Sequence, residues 1–213
     1  MLNNIASLVC HQIDIRSICL GDKCLPLCAR CTGIYSGFLV AVLSEVLTGG
    51  TKFARPLTFK RVLVSLIPLF ALIAESIGER LQLWECSNTE RLHFGFIGGL
   101  GMGILLLPLC GYFLGHRSPP VPTGAIRQWP IFAILSAGVL TLQWLPALLP
   151  VLAIVSALGL LSIYLFLNLA ISGAVLGLKD RNYNPATIML LFGFVMALFA
   201  GEWTLFSLFK SQQ

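Results

Sequence analysis

Charge is what this sequence has least of. Only 11% of its 213 residues are Asp, Glu, Lys or Arg, against 57% hydrophobic, and the mean hydropathy is +0.88. Soluble domains carry about 25% charged residues. A water-soluble globule of this size cannot hide so much apolar surface, whereas segments of about 20 residues crossing a hydrocarbon layer roughly 30 Å thick can. The cations are also too few and too scattered for a nucleic-acid partner. Fourteen Lys and Arg stand against nine acids, a net charge of +5, and no basic run follows the pattern of a phosphate backbone. The first 31 residues lack both the basic start and the continuous apolar run of a secretion signal, so they are expected to be retained.

From Thr32 the pattern turns apolar. Stretches at 32–50, 62–78, 93–115, 129–147, 150–178 and 187–209 are candidate spans. The expectation is an all-α polytopic bundle of six spans over 32–213, behind a Cys-rich extramembrane segment over 1–31. The stretch 150–178 exceeds one crossing, which predicts a tilted helix or an extended end. Loop cations set the orientation. Lys52, Arg55, Lys60, Arg61, Arg117, Arg127, Lys179 and Arg181 fall on one side. Arg16, Lys23, Arg30, Arg80, Arg91 and Lys210 fall on the other, offset there by Asp14, Asp22, Glu79, Glu85 and Glu90. The N-terminus and C-terminus are therefore both expected outside. Trp84, Trp129, Trp144 and Trp203 lie near span ends, as interfacial indoles do.

Apolar side chains gain little by leaving lipid, so close backbone approach must supply the attraction between helices. Gly95, Gly99 and Gly103 recur at four-residue spacing in the third span, and Gly33 with Gly37 and Gly173 with Gly177 repeat the device. These predict helix contacts. No strand precedes GFIGGLGMG, which excludes a nucleotide-binding fingerprint. Pro68 and Pro108 fall inside spans, where kinks are expected.

Five of the seven cysteines, Cys10, Cys19, Cys24, Cys28 and Cys31, crowd into 22 residues, and Cys86 falls on the same side of the membrane. Cys110 stands alone in the third span and reads as a small buried hydrophobe. Cys28-Ala29-Arg30-Cys31 leads into the first span with Thr32 as its N-cap, so both sulfurs are expected at a helix N-terminus beside a guanidinium. Backbone N–H groups and the cation both favour thiolate, the form that binds metal or attacks disulfides. Cys10 and His11 with Cys28 and Cys31 make a four-ligand set of the kind zinc prefers. Adjacent ligands need a bent backbone, so His93 is an alternative nitrogen donor. Two other readings remain open: a thiol-disulfide oxidoreductase using Cys28 and Cys31, and a transporter or assembly subunit with structural disulfides.

Carboxylates are costly in lipid, so Glu45, Glu75 and Glu202 are expected to face the bundle interior or an aqueous cavity. Glu75, Glu79 and Gln82 share a helical face if the helix continues past the membrane, and so do Asn88, Arg91, Gly95 and Gly99. Two readings suit this polar cap. One is a salt-bridge network, with Arg91 or Arg80 paired to Glu75 or Glu79. The other is a site for an anionic headgroup or small molecule on Arg16, Arg30, Asn88 and Arg91, or a proton relay. Were a metal position open to water, Glu75 or Glu79 would be the candidate general base.

The motifs CHQ at 10–12, Arg16-Ser17, LPLCARCTGIYSG at 25–37, and the later Asn88, Arg91 and Gly95 resemble an uncharacterised family of prokaryotic integral membrane proteins, a domain of unknown function. The likeness covers roughly the first 105 residues. It implies a multi-helix fold in a prokaryotic plasma membrane and singles out Cys10, Cys28 and Cys31, with Cys19, Cys24 and Cys86 as additions. The family commonly has aspartate where this chain has Glu75. No established activity comes with the resemblance.

Overall fold

The computed structural model describes residues 16–20, 23–47, 59–113, 124–142 and 144–176. The chain enters through an antiparallel hairpin of β1 (Ser17–Leu20) and β2 (Lys23–Cys28), with Cys19 opposite Cys24 and Ser17 opposite Cys28. In β2, Leu25 and Leu27 are buried while Cys24 is exposed and Pro26 half-buried, the two-residue alternation of a strand with one face on the core. A Cys19–Cys24 disulfide closes the hairpin. Among the described residues this small sheet is the exception to an otherwise helical architecture, in a segment for which the sequence specified no secondary structure.

β2 runs directly into α1 (Ala29–Leu47). Then come α2 (Phe59–Arg80), α3 (Asn88–Phe113), α4 (Gly124–Leu142), a short 3-10 turn at Pro146–Leu148, and α5 (Leu149–Val175). Four of these helices are long and apolar enough to cross a membrane: Ala29–Leu47, Val62–Arg80, Asn88–Phe113 and Leu149–Val175. α4 contributes a shorter apolar piece, Ala133–Leu142. The stretch 187–209 lies outside the described residues, as do Cys10, His11, His116, Gly177, Asp180, Glu202 and Trp203.

Several boundaries differ from the expectation. α1 starts at Ala29, so Thr32 is not its N-cap; it is interior, fully buried, with its hydroxyl directed to the Leu27 carbonyl at 3.5 Å. α3 starts at Asn88 rather than 93, because a polar capping box precedes its apolar run. The Ser87 backbone N–H and hydroxyl donate to Glu90 Oε2 at 2.7 and 2.8 Å, and the Glu90 N–H donates back to Ser87 Oγ at 3.3 Å. α2 ends at Arg80, so Gln82 does not extend the Glu75–Glu79 face but turns the chain at φ 55°. Leu83 N–H bonds the Gly78 carbonyl at 2.9 Å and Gln82 N–H the Glu79 carbonyl at 3.1 Å, the two bonds of a Schellman stop.

α1 is the central helix, packed on α3 and α5. Its seam with α3 is the glycine contact expected from the sequence: a Cβ on Gly33, Gly37, Gly95 or Gly99 would strike backbone of the facing helix, and one on Gly103 the Ala41 side chain. Phe38, Leu107, Cys110, Phe166 and Ala170 form the main buried cluster, which confirms Cys110 as a core residue. The buried hydroxyls of Ser36 and Ser172 donate back to Thr32 and Asn168 carbonyls at 2.7 and 2.6 Å, so neither is left unsatisfied. α2 is peripheral. It packs chiefly on α3 and turns Leu63, Val64, Ile67, Phe70, Ile73 and Ile77 outward, the surface of a lipid-facing helix.

Candidate functional site

The first turn of α1, the last turns of α2 and the first turn of α3 meet at one end of the bundle, where the hairpin covers them. Arg30 projects from α1 toward α2. Its Nε donates to Glu75 Oε2 at 2.9 Å and its Nη2 to Glu75 Oε1 at 2.6 Å, a bidentate pair, and Nη2 also reaches Glu79 Oε2 at 2.6 Å. Glu75 and Glu79 lie four residues apart on one face of α2, which lets one guanidinium hold both. From α3, Arg91 donates to Glu79 Oε1 at 2.6 Å and to Asn88 Oδ1 at 2.8 Å. The Asn88 amide then donates to the Ser17 carbonyl of β1 at 3.0 Å, tying the hairpin to α3. Arg16 adds a contact of 3.3 Å to Glu79 Oε1.

This network is the salt-bridge reading of the polar cap, with Arg91 on Glu79 as expected and with Arg30 and Arg16 as partners the spacing did not reveal. Arg80 is exposed and has no ion pair among the described residues. Glu75 is only 2% exposed, and a carboxylate so buried is tolerated because a guanidinium supplies opposite charge and two directed N–H groups. Among the described residues three guanidiniums contact these two carboxylates. The carboxylates offered as candidate bases are both committed to arginines.

The sulfurs occupy the other face of the same turn. Cys28 immediately precedes α1 and Cys31 lies in its first turn. Both are half-buried against Leu27, Tyr35 and Leu160, with Ile163 and Tyr164 of α5 alongside. Arg30 separates them in sequence but turns toward α2, so its charge is balanced by carboxylates rather than directed at the thiols. His93 is half-buried in α3 with Nδ1 2.7 Å from the Thr89 carbonyl oxygen. Among the described residues no three His, Cys, Asp or Glu side chains come together to hold a metal ion, a set with His93, Cys28 and Cys31 included. Cys10 and His11 lie outside those residues.

Cys86, half-buried in the α2–α3 connection, is the cysteine set against the acids. Burial, then the charge and hydrogen bond of Glu75, with Glu90 and Glu79 beyond, push its thiol above the ordinary cysteine range. Beside it opens a cavity of about 800 Å³, lined by Glu79, Gln82, Trp84, Glu85, Asn88 and Arg91. The Trp84 indole packs against Gly78 in the last turn of α2, where a Cβ would strike the ring. Sequence reasoning missed this cavity. The one available signal was S-N-T-E at 87–90, a capping-box pattern that brings a polar turn up to the start of α3.

Residues 10–105, from Cys10 through the first half of α3, match the family described as predicted membrane protein (DUF2085). The chain is 31% identical over 104 residues to an uncharacterised protein of Methanocaldococcus jannaschii, covering 48% of this chain and 64% of that relative. It is 29% identical over 101 residues to an uncharacterised protein of Methanothermobacter thermautotrophicus, covering 46% of this chain and 83% of the relative. No solved structure matches the chain. The likeness to an uncharacterised membrane protein family noted from the motifs is thereby supported, and the protein is a helical membrane protein.

Proposed function

We propose that the working centre is the Cys28/Cys31 thiolate pair at the start of α1, a zinc-type metal site at the outer membrane interface that Cys10 and His11 complete. The observation that carries this reading is the junction of β2 with α1. It sets Cys28 just before the helix and Cys31 in its first turn, where the positive end of the helix dipole favours thiolate. The hairpin register brings Ser17 opposite Cys28. Five residues separate His11 from Ser17, six steps of chain that span at most about 20 Å when extended, so the Cys10-His11 pair is within reach of the sulfurs. The region shared with the family begins at Cys10 and so includes all four ligands. Two thiolates, a third sulfur and an imidazole form a ligand set that fits tetrahedral zinc. With both nearby carboxylates held by arginines, the proposal concerns binding that fixes the N-terminal segment on the bundle, and Glu75 and Glu79 are not offered as a base. The Cys19–Cys24 bridge supports an outward, oxidising side for this cap, with the bilayer as the partner of the helices.

The test is elemental mass spectrometry on protein purified in mild detergent without chelator. The expected result is about one zinc per chain, lost in Cys28→Ser and Cys31→Ser and kept in Cys110→Ser. Metal retained in Cys28→Ser overturns the site. A metal-free chain with Cys28 bonded to Cys31 moves the centre to thiol-disulfide exchange.

A further inference from the structure

The hairpin that covers the cap is lightly built. Its strands share the register pairs Ser17–Cys28, Cys19–Cys24 and Leu20–Lys23, and the register shifts between the first and the second. There three residues of β2, Leu25, Pro26 and Leu27, stand against Ile18 alone, and Pro26 has no N–H to offer a ladder. Two strands paired so briefly are marginal by themselves. The bundle also holds them unequally. β2 buries Leu25 against Leu149 and Leu152 and Leu27 against Tyr35 and Leu160, and it continues directly into α1. β1 brings Ile18, half-buried beside the Leu25 cluster, the Ser17 carbonyl on the Asn88 amide at 3.0 Å, and before it Arg16, 45% exposed and 3.3 Å from Glu79. A covalent tie supplements these contacts at the tip. The Cys19–Cys24 bridge joins the strands across a separation of five residues, and both of its cysteines are exposed. Soluble thiols reach a bridge so placed, whereas one inside a core is shielded from them.

We infer that the Cys19–Cys24 bridge is a redox switch of the cap, opened by a dithiol, and that its reduction parts β1 from β2. One thiolate of the dithiol attacks an exposed sulfur of the bridge and displaces the other cysteine, which takes up a proton. The second thiol, deprotonated in turn, attacks the mixed disulfide and releases the first cysteine. Two electrons pass from the dithiol, which ends as a cyclic disulfide, to Cys19 and Cys24, which end as thiols. β2 stays in place, because Leu25 and Leu27 remain buried on the helices. β1 is the strand set loose. The residues before it, Cys10 and His11 among them, are joined to the bundle through β1, so the bridge governs how closely they are kept to the start of α1. The inference stands on the bridge and the two strands and does not rest on the metal reading.

The test is hydrogen exchange followed by mass spectrometry on the full chain in detergent, before and after dithiothreitol, with opening of the bridge confirmed by alkylation of Cys19 and Cys24. The expected result is exchange in β1 faster by about tenfold or more, the low end of what a bridge across a short loop contributes, with α3 unchanged. The variant Cys19→Ser, Cys24→Ser exchanges at the fast rate without reductant, and dithiothreitol adds nothing to it, which separates this bridge from every other sulfur in the chain. Each measurement is repeated with a chelator, so that metal on Cys28 and Cys31 does not substitute for the bridge. A chain that carries no zinc overturns the metal reading and leaves this result as it stands. A bridge that opens only when α3 also loses protection, or β1 exchange unchanged by reduction with the chelator and without it, overturns the inference.

Discussion

Replacing Arg30 with Met tests whether the cap is held by a buried ion pair or merely decorated by one. In the native protein Glu75, 2% exposed, receives two N–H groups from Arg30 at 2.9 and 2.6 Å. Without them it keeps Ser76 Oγ at 3.5 Å and the Cys86 thiol, neither of which supplies charge. Glu79 suffers less, because Arg91 and Arg16 stay with it. Breaking one side of a buried pair costs about 3–5 kcal/mol. The Arg30 side chain is 21% exposed, so some water reaches the gap, and the expected loss is at the lower end, about 3 kcal/mol. The double variant Arg30→Met, Glu75→Met removes the stranded carboxylate as well and is expected within about 1 kcal/mol of the native protein. Arg30→Lys keeps the charge but not the fork, and falls between. Reversible unfolding in mixed micelles, followed by far-ultraviolet circular dichroism, gives the cycle once Glu75→Met supplies its fourth corner. A loss below about 1 kcal/mol in Arg30→Met, the cost of an exposed pair, refutes the reasoning. So does a double variant no more stable than the single one.

Two further outcomes follow from the packing and the connection. Gly99→Ala places a methyl group against the Ile34 carbonyl, and 2.9 Å from Phe38 N, so α1 and α3 must separate. The same unfolding assay is expected to show a loss of about 1–3 kcal/mol or more, against almost none for Gly138→Ala, which meets nothing within 4 Å. Cys86 holds its proton to higher pH in the folded protein than in the unfolded chain, so its contribution to stability is present below the unfolded value and lost as pH rises through the folded one. Its alkylation rate, followed by peptide mass spectrometry, is expected to rise with pH at a midpoint above that of free cysteine, about 8.5. Glu75→Gln lowers that midpoint; a midpoint at or below the free value contradicts the placement of the thiol beside the acids.

The bundle was legible because its rules are those of lipid. Length and hydropathy located the helices around Val62–Arg80 and Leu149–Val175 to within a few residues, and four-residue glycine spacing identified the α1–α3 seam, where only Gly allows such approach. Boundaries failed wherever polar turns were helical. Hydropathy began α3 at 93, although Ser87 and Glu90 start it at Asn88, and began α1 at Thr32, although Cys28 already marks its edge. Gln82 was placed on a helical face because nothing in its side chain announces a positive φ, which is usually glycine's conformation. The acids and arginines of the cap were recognised as a group, but pairing them required knowing which helices touch. Arg30 and Glu75 are 45 residues apart, and no local periodicity connects them.

The position of Arg30 explains why a motif of adjacent residues serves two purposes. Around a helix each residue turns about 100°, so Arg30, one position before Cys31 in the first turn, points to a different face from that sulfur. Cys28 and Cys31 pack toward α5, and the guanidinium goes to α2. That direction matters most for α2, whose contacts are chiefly with α3 and whose large exposed apolar side chains are Leu, Val, Ile and Phe. In lipid, such a face does not specify how a helix is rotated, because acyl chains solvate leucine as well as protein does. A buried carboxylate does specify it, since any rotation that carries Glu75 away from Arg30 leaves a charge without a partner in a medium that cannot solvate it. The same turn of α1 therefore presents the sulfurs on one side and sets the rotation of the peripheral helix on the other.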